Sequence, residues 1–260
     1  MQHATVFRRY LNNPVTAAPG FLGRIFLTAL LALASLPLLA QQLPSDFSPF
    51  EIEYEVGNNL ISAGSATLSL TRVGDEWIYS LTTAPSGIFK LTGKGKIQEI
   101  SVMNVSDNEA PLPQRYTYRQ DEEDRRSIDA WFNWDDNEIK IKKRGEEVVE
   151  EFNDPILDRL SVTLAIMEQL RTGFTRAELK VFDNGRIKTV VFDNEAIETA
   201  KTRLGTTDVI RVRSYNKEGD RRRETITWFA PEFDYVPVKI EQRKRGKLVA
   251  RLTLSKLKKQ

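Results

Sequence analysis

Histidine and cysteine do most general-base and nucleophilic catalysis near neutral pH, and they hold most protein-bound zinc, copper and iron. This chain of 260 residues has one histidine, His3, and no cysteine. Ser-His-Asp hydrolysis, Cys-His catalysis, disulfide exchange and ordinary zinc sites are therefore excluded once His3 is lost, and no cofactor is implied. Carboxylates are the acid-base groups that remain. They cluster as Asp121-Glu122-Glu123-Asp124, as Asp135-Asp136, and as Asp154 with Asp158. A glycosidase needs two carboxyls about 5–10 Å apart across a cleft, one of them kept protonated. The first two clusters read instead as polar hairpin tips and the third as a helix cap, so the expectation is a protein that is not an enzyme. Asp183-Asn184-Gly185 has the start of a calcium loop but lacks the later ligands and the closing glutamate, and reads as a hairpin turn.

Binding surfaces are the alternative to catalysis. Tyr54, Tyr79, Tyr116, Tyr118, Phe132, Trp134 and Trp228 all fall in segments of strand periodicity. On a curved sheet such residues can line a cavity for an acyl chain, and they are the candidate ligand-binding residues. Their commoner role is core packing. Basic runs occur at Arg221-Arg222-Arg223, at Arg243-Lys244-Arg245-Gly246-Lys247 and at Lys256, Lys258 and Lys259. These suit either lipid or lipopolysaccharide phosphates, or the charge protection of hairpin ends and sheet edges.

The elements that must position these residues are mostly strands. From Phe50 the pattern has period two, with Phe50, Ile52, Tyr54 and Val56 alternating with Glu51, Glu53 and Glu55. The same pattern predicts strands near 64–72, 76–83, 94–103, 112–120, 127–134 and 138–151, and again over 179–182, 187–192, 195–203, 207–215, 223–230, 236–243 and 247–255. Asn184-Gly185 and Arg245-Gly246 are placed to turn hairpins. One helix is predicted over 155–172, capped by Asp154, with Pro155 in the first turn and Gly173 at its end. Its apolar stripe, Ile156, Leu160, Leu164, Met167 and Leu170, either seals the sheet or forms a movable lid over a cavity.

The first forty residues are of another kind. Arg8, Arg9 and Arg24 are their only charges, and an apolar run from Ile25 leads to Pro37 and Ala40. The run is shorter than the roughly 20 residues of a bilayer span. Residues 1–40 are read as a signal peptide cut between Ala40 and Gln41, residues 41–48 as a flexible segment, and residues 49–257 as a single β-rich domain. Without a cysteine after the apolar run, no lipid-modified N-terminus is expected. Cleavage removes His3 and three arginines, so the 38 basic side chains fall to 35 against 36 acidic. General polyanion binding, nucleic acid included, loses its support.

Six segments in order resemble one family: Tyr54-Glu55-Val56-Gly57 with Ala63-Gly64-Ser65-Ala66, Pro113 to Arg119, Phe132-Asn133-Trp134, Asp154-Pro155 with Asp158 to Ser161, Val181 to Arg186, and Thr227 to Ile240. In this order they look like the domain-of-unknown-function 3108 family of exported bacterial proteins. The resemblance covers nearly all of the chain after the leader. It implies a periplasmic protein with an antiparallel, barrel-like sheet, similar in outline to the half-barrel carriers that handle lipoproteins between bacterial membranes. It implies no activity or ligand, and no functional residue carries over.

The expectation is therefore a mainly β protein: an antiparallel open or half β-barrel of about a dozen strands with one packed helix. Its expected role is a periplasmic, non-enzymatic binding or carrier protein for a lipid-like envelope component. The alternative is a protein-interaction module in envelope assembly. Membrane contact would come only through the signal peptide or the basic hairpins.

Overall fold

The computed structural model describes residues 47–58, 61–86, 95–104, 112–121, 126–219 and 222–259. The expected leader over 1–40, its Ala40–Gln41 cut, most of the 41–48 segment, Glu122 to Asp124 and Arg221 lie outside the described residues.

Fifteen strands form one sheet. They are β1 (Phe50–Gly57), β2 (Ser62–Val73), β3 (Glu76–Pro85), β4 (Ile97–Asn104), β5 (Pro113–Gln120), β6 (Ile128–Asn133), β7 (Glu138–Lys143), β8 (Glu146–Glu151), β9 (Ile156–Asp158), β10 (Arg176–Phe182), β11 (Ile187–Thr202), β12 (Gly205–Asn216), β13 (Arg223–Ala230), β14 (Val236–Lys244) and β15 (Lys247–Lys259). Among the described residues one α-helix, α1 (Ser161–Thr172), lies between β9 and β10.

The spatial order explains the curl. β1 to β8 meander outward on one side, the chain then crosses to the far edge, and β9 to β15 meander back until β15 pairs with β1. Every neighbouring pair is antiparallel except β9 with β10. β8 and β9 are the two edges, and no ladder joins them. The sheet closes on itself through side chains. Phe182 of β10 stands edge-on to Tyr116 of β5 and Phe132 of β6, with ring centroids 5.9 and 6.2 Å apart. On the rim, the Lys143 ammonium donates to the Asn184 carbonyl oxygen at 2.6 Å and to its Oδ1 at 3.1 Å. Asn184 and Gly185 both have positive φ, as a two-residue hairpin requires. Gly185 is further needed because a Cβ there would lie 2.9 Å from the Lys143 Cδ.

Cross-strand rows build the interior. One inner row runs Phe50, Leu70, Tyr79, Ser101, Tyr116, Ala130, Ile141, all buried. Against this face pack Val162, Leu164, Ile166, Met167 and Leu170 of α1. Each such side chain contributes about 1.5–3 kcal/mol by burial, so apolar contact is what holds the helix in the concave side.

The helix is shorter than the stripe predicted. Residues 156–158 form β9, with Ile156 and Leu157 both buried beside β10, and the helix starts only at Ser161. The cap shifts with it. Asp158, not Asp154, accepts from the first amides: its Oδ1 takes the Leu160 N–H at 2.7 Å and the Ser161 N–H at 2.9 Å. Pro155 thus opens a strand, a position where its missing N–H and fixed φ are equally acceptable. The strand count also exceeds a dozen. The 138–151 run folds back at Arg144-Gly145, both with positive φ, and β9 is added. The predicted 187–192 and 195–203 runs are one strand, β11, with a register shift between Asn194 and Ala196.

Candidate functional site

The second inner row runs Ile52, Leu68, Leu81, Glu99, Tyr118, Ile128. Glu99 therefore occupies a core position in an apolar row, and Ser101 does the same in the row beside it. Both are enclosed, Glu99 at 3 % exposure and Ser101 at 0 %. Polar groups at such positions are costly unless bonded. Here they are met by the loop that launches α1.

Ser101 fills the gap between the large rings of Tyr79 and Tyr116, and its hydroxyl donates to Asp158 Oδ2. Asp158 is fully buried. Its backbone N–H donates to Ser161 Oγ at 2.9 Å, so the loop closes on itself reciprocally, as a capping box does. Burial pushes the Asp158 carboxyl up to about 6, against the opposing effect of these hydrogen bonds. One residue on, Arg159 turns outward. Its guanidinium lies 3.6 Å from Glu99 Oε1, and it is 43 % exposed. The other Glu99 oxygen accepts the Tyr116 hydroxyl at 2.8 Å. Burial raises the Tyr116 phenol, reinforced by the Glu99 charge.

Tyr79 is the exception to this pairing. Its ring is fully buried edge-on to Phe50 at 6.1 Å, yet its hydroxyl has no hydrogen-bond partner. Burial raises this phenol, and the charge of Asp158 adds to the effect. The interior thus holds a compact polar group of Ser101, Asp158, Glu99 and Tyr116 with an unused hydroxyl beside it. It ties the loop that launches α1 to strands β4 and β5 within an otherwise apolar interior. Among the described residues, no three carboxylates, histidines or cysteines stand close enough together to hold a metal ion.

The candidate aromatics divide between this interior and other places. Tyr54 is buried, and its hydroxyl donates to the Pro237 carbonyl oxygen at 2.6 Å. Tyr79 and Tyr116 belong to the polar cluster. Tyr118 is half-buried and donates to Gln120 Oε1 at 3.1 Å. Phe132 stacks on Trp134 at 6.0 Å, and Trp134 lies just past the end of β6, its indole N–H held by the Pro113 carbonyl at 2.8 Å. Trp228 is not inside. It shares a cross-strand row with Lys239, Thr253 and Glu55, on the face opposite Tyr54. Its indole lies 4.0 Å beneath the Lys239 ammonium and donates to Glu198 Oε2 at 3.0 Å. Of the carboxylate clusters, Asp136 accepts from Asn133 at an exposed turn, and Asp154 is not among the partners of Asp158.

Glu99, Ser101 and Arg159 were not singled out from the sequence. The usable signal was a pair of polar residues, Glu99 and Ser101, two apart on the face that Met103 continues. That signal is blurred because Ile100 and Val102 make the other face of β4 equally apolar.

A family model described as "Protein of unknown function (DUF3108)" matches residues 50–253. No curated protein sequence matches the chain. The chain shares its fold with a solved structure described as a beta-barrel-like protein of domain of unknown function DUF1849 from Brucella abortus, at 10% identity and TM-score 0.53, over 82% of this chain and 98% of that one. Two more distant similarities are to a candidate lipoprotein from Parabacteroides distasonis (12% identity, TM-score 0.32, 84% and 98% coverage) and to a candidate exported protein with a YmcC-like fold from Bacteroides fragilis (9%, 0.32, 82% and 96%).

Proposed function

Because this chain belongs to the DUF3108 family, described only as proteins of unknown function, we propose from its own geometry that it is a periplasmic, non-enzymatic binding or carrier protein for an apolar or amphipathic envelope component. The observation that carries this reading is the seam. The interior is apolar apart from the Ser101–Asp158–Glu99–Tyr116 group, helix α1 packs into it, and the sheet around it is closed by side chains with no ladder between β8 and β9. Such a barrel can gape without breaking backbone hydrogen bonds, exchanging contacts with α1 for contacts with an acyl chain. The polar cluster at Ser101 and Asp158 would orient both the helix and the head of the bound molecule. Chemistry is not needed for this role, and a chain without cysteine, whose one histidine stands at position 3, is suited to it.

The test uses the absence of cysteine. Lys143→Cys and Asn184→Cys, joined by a short bismaleimide, would lock the seam where these residues meet. Uptake of a fluorescent fatty acid by delipidated protein is expected to fall at least tenfold on bridging and to persist in the unbridged double variant. Undiminished uptake by the locked protein, or no bound lipid in native mass spectrometry of any form, would remove the proposal.

One observation favours the alternative of a protein-interaction module. β8 is an unpaired edge whose Val148 and Val149 are 50 % and 53 % exposed between glutamates. An exposed edge accepts a partner strand. Proline at Val149 would abolish crosslinking to an envelope partner under this second reading and leave lipid uptake unchanged.

A further inference from the structure

Residue-by-residue pairing brings the hairpin tips of the C-terminal half to one end of the sheet. Phe182 faces Ile187, Val190 faces Asn216, Tyr215 faces Glu224, Arg223 faces Lys244, and Lys244 faces Lys247. Two basic runs far apart in sequence, around 222–223 and 243–247, therefore become neighbours. The seam extends them. Lys143 rests on the Asn184-Gly185 turn, within reach of the Arg186 and Lys188 charges and with Arg144 next to it in the chain. Desolvation, with the Arg144 and Arg186 charges next, lowers the Lys143 pKa. The arc thus runs from the β7–β8 turn through the β10–β11 and β12–β13 turns to the β14–β15 turn.

The carboxylates on these same hairpin ends, Glu146, Asp183, Glu218, Glu224 and Glu241, are fewer than the cations. Lys188 takes Asp183 at 2.7 Å, and Arg243 takes Glu241 at 2.6 Å. Among the described residues, Arg144, Arg186, Arg223, Lys244, Arg245 and Lys247 have no carboxylate within ion-pair distance. The basic residues at the other end are different: Lys256, Lys258 and Lys259 are paired to Glu53, Glu51 and Asp234 at 3.0, 2.8 and 2.6 Å. The uncompensated charge is therefore local, although basic and acidic side chains nearly balance over the chain. Arg159, with Glu99 behind it, stands at the same end, since Asp158 lies opposite Phe182.

We infer that this arc is a docking surface for an anionic lipid leaflet, holding the arc end of the barrel and its seam against the membrane. The inference deepens the proposed function, on which it rests for its purpose, by naming the surface from which an amphipathic ligand would be taken. Cations near an anionic bilayer each contribute about a fivefold gain in binding, screened beyond about 10 Å at 0.1 M salt.

The test compares the full chain with two triple variants of equal charge change, R186Q/R223Q/K247Q in the arc and K256Q/K258Q/K259Q at the opposite end. The readout is the preference for phosphatidylglycerol-containing vesicles over pure phosphatidylcholine vesicles in flotation, at low and high salt. Taking the ratio cancels any insertion of apolar segments. The arc variant is expected to lose about a hundredfold of the preference, and the opposite-end variant less than about fivefold. Equal losses in the two variants, or a wild-type preference that is absent or insensitive to salt, overturn the inference. Fatty-acid uptake measured in parallel separates the outcomes: uptake without vesicle preference leaves the proposed function standing and removes only the docking surface.

Discussion

Replacing Asp158 by asparagine is expected to stabilise the protein at neutral pH while removing part of its acid dependence. An amide has the same shape, keeps an oxygen for the Leu160 and Ser161 amides, and can donate to the Ser101 hydroxyl in place of accepting from it. What changes is the charge. The buried carboxyl titrates at about 6, against 3.8 for the ordinary group, with burial as the leading cause. The folded state thus holds this proton more tightly than the unfolded chain. Its contribution to stability is complete below about pH 4, falls as pH rises to about 6, and stays lost above that. At 1.36 kcal/mol per pK unit the loss is about 3 kcal/mol. Urea unfolding of both proteins at pH 4, 5, 6 and 7 measures it. The stability difference, variant minus wild type, should climb from near zero at pH 4 to about 3 kcal/mol at pH 7. Taking the difference removes the other carboxylates that titrate in that range. A variant less stable than wild type at pH 7, or a difference that does not change between pH 4 and 6, would refute the reasoning.

The other predictions are simpler. Tyr79→Phe deletes a hydroxyl with no partner and should leave stability unchanged or raise it by about 1 kcal/mol. Tyr116→Phe strips a bond from buried Glu99 and should cost about 1–3 kcal/mol in the same urea assay. Gly185→Ala forces a side chain into the left-handed region and against Lys143. It should cost more than about 1 kcal/mol in the same urea assay. Burial pushes the carboxyl of Glu241 up, but hydrogen bonds from Arg243, Lys239 and Arg251 outweigh it and hold it down to about 2. Glu241→Gln should therefore destabilise by about 1–3 kcal/mol at pH 7, with the penalty shrinking as pH falls from about 4 towards 2 in wild-type comparison.

Where a strand has one wet face, the sequence was easy to read. β1 alternates apolar residues with glutamates and sits as its pattern demands, and Asn184-Gly185 turns the hairpin its φ preferences predict. The interior of the site was harder, for local reasons. β4 is apolar on both faces, so Glu99 and Ser101 could not be assigned inward. In β13 a register shift between Trp228 and Phe229 breaks the alternation and leaves Trp228, Phe229 and Ala230 all buried, which hides that Trp228 belongs to the outer face. Asp158 looked like a helix residue because Ile156 and Leu160 continue the apolar spacing of α1. Only the pairing of β9 with β10 shows that the cap lies there. The basic arc depends wholly on pairing, since nothing local brings residues near 223 to those near 244 or sets Lys143 against residue 184.

The first and last strands of the sheet meet at its middle. β1 and β15 pair through Glu51 with Lys258 and Glu53 with Lys256, partners separated by as many as 207 positions. Within β1–β8 and within β9–β15 each strand pairs with its sequence neighbour, but each half presents a raw central edge until the other arrives. Because a chain is made N-terminus first, β1 must wait unpaired while the whole remainder is added. Its alternating glutamates are a safeguard during that delay: they repel a second β1 in register and accept the lysine-rich strand that completes the molecule. Substituting Glu51 and Glu53 together would thus show its effect less in the finished protein than in the yield of newly made chains that escape aggregation.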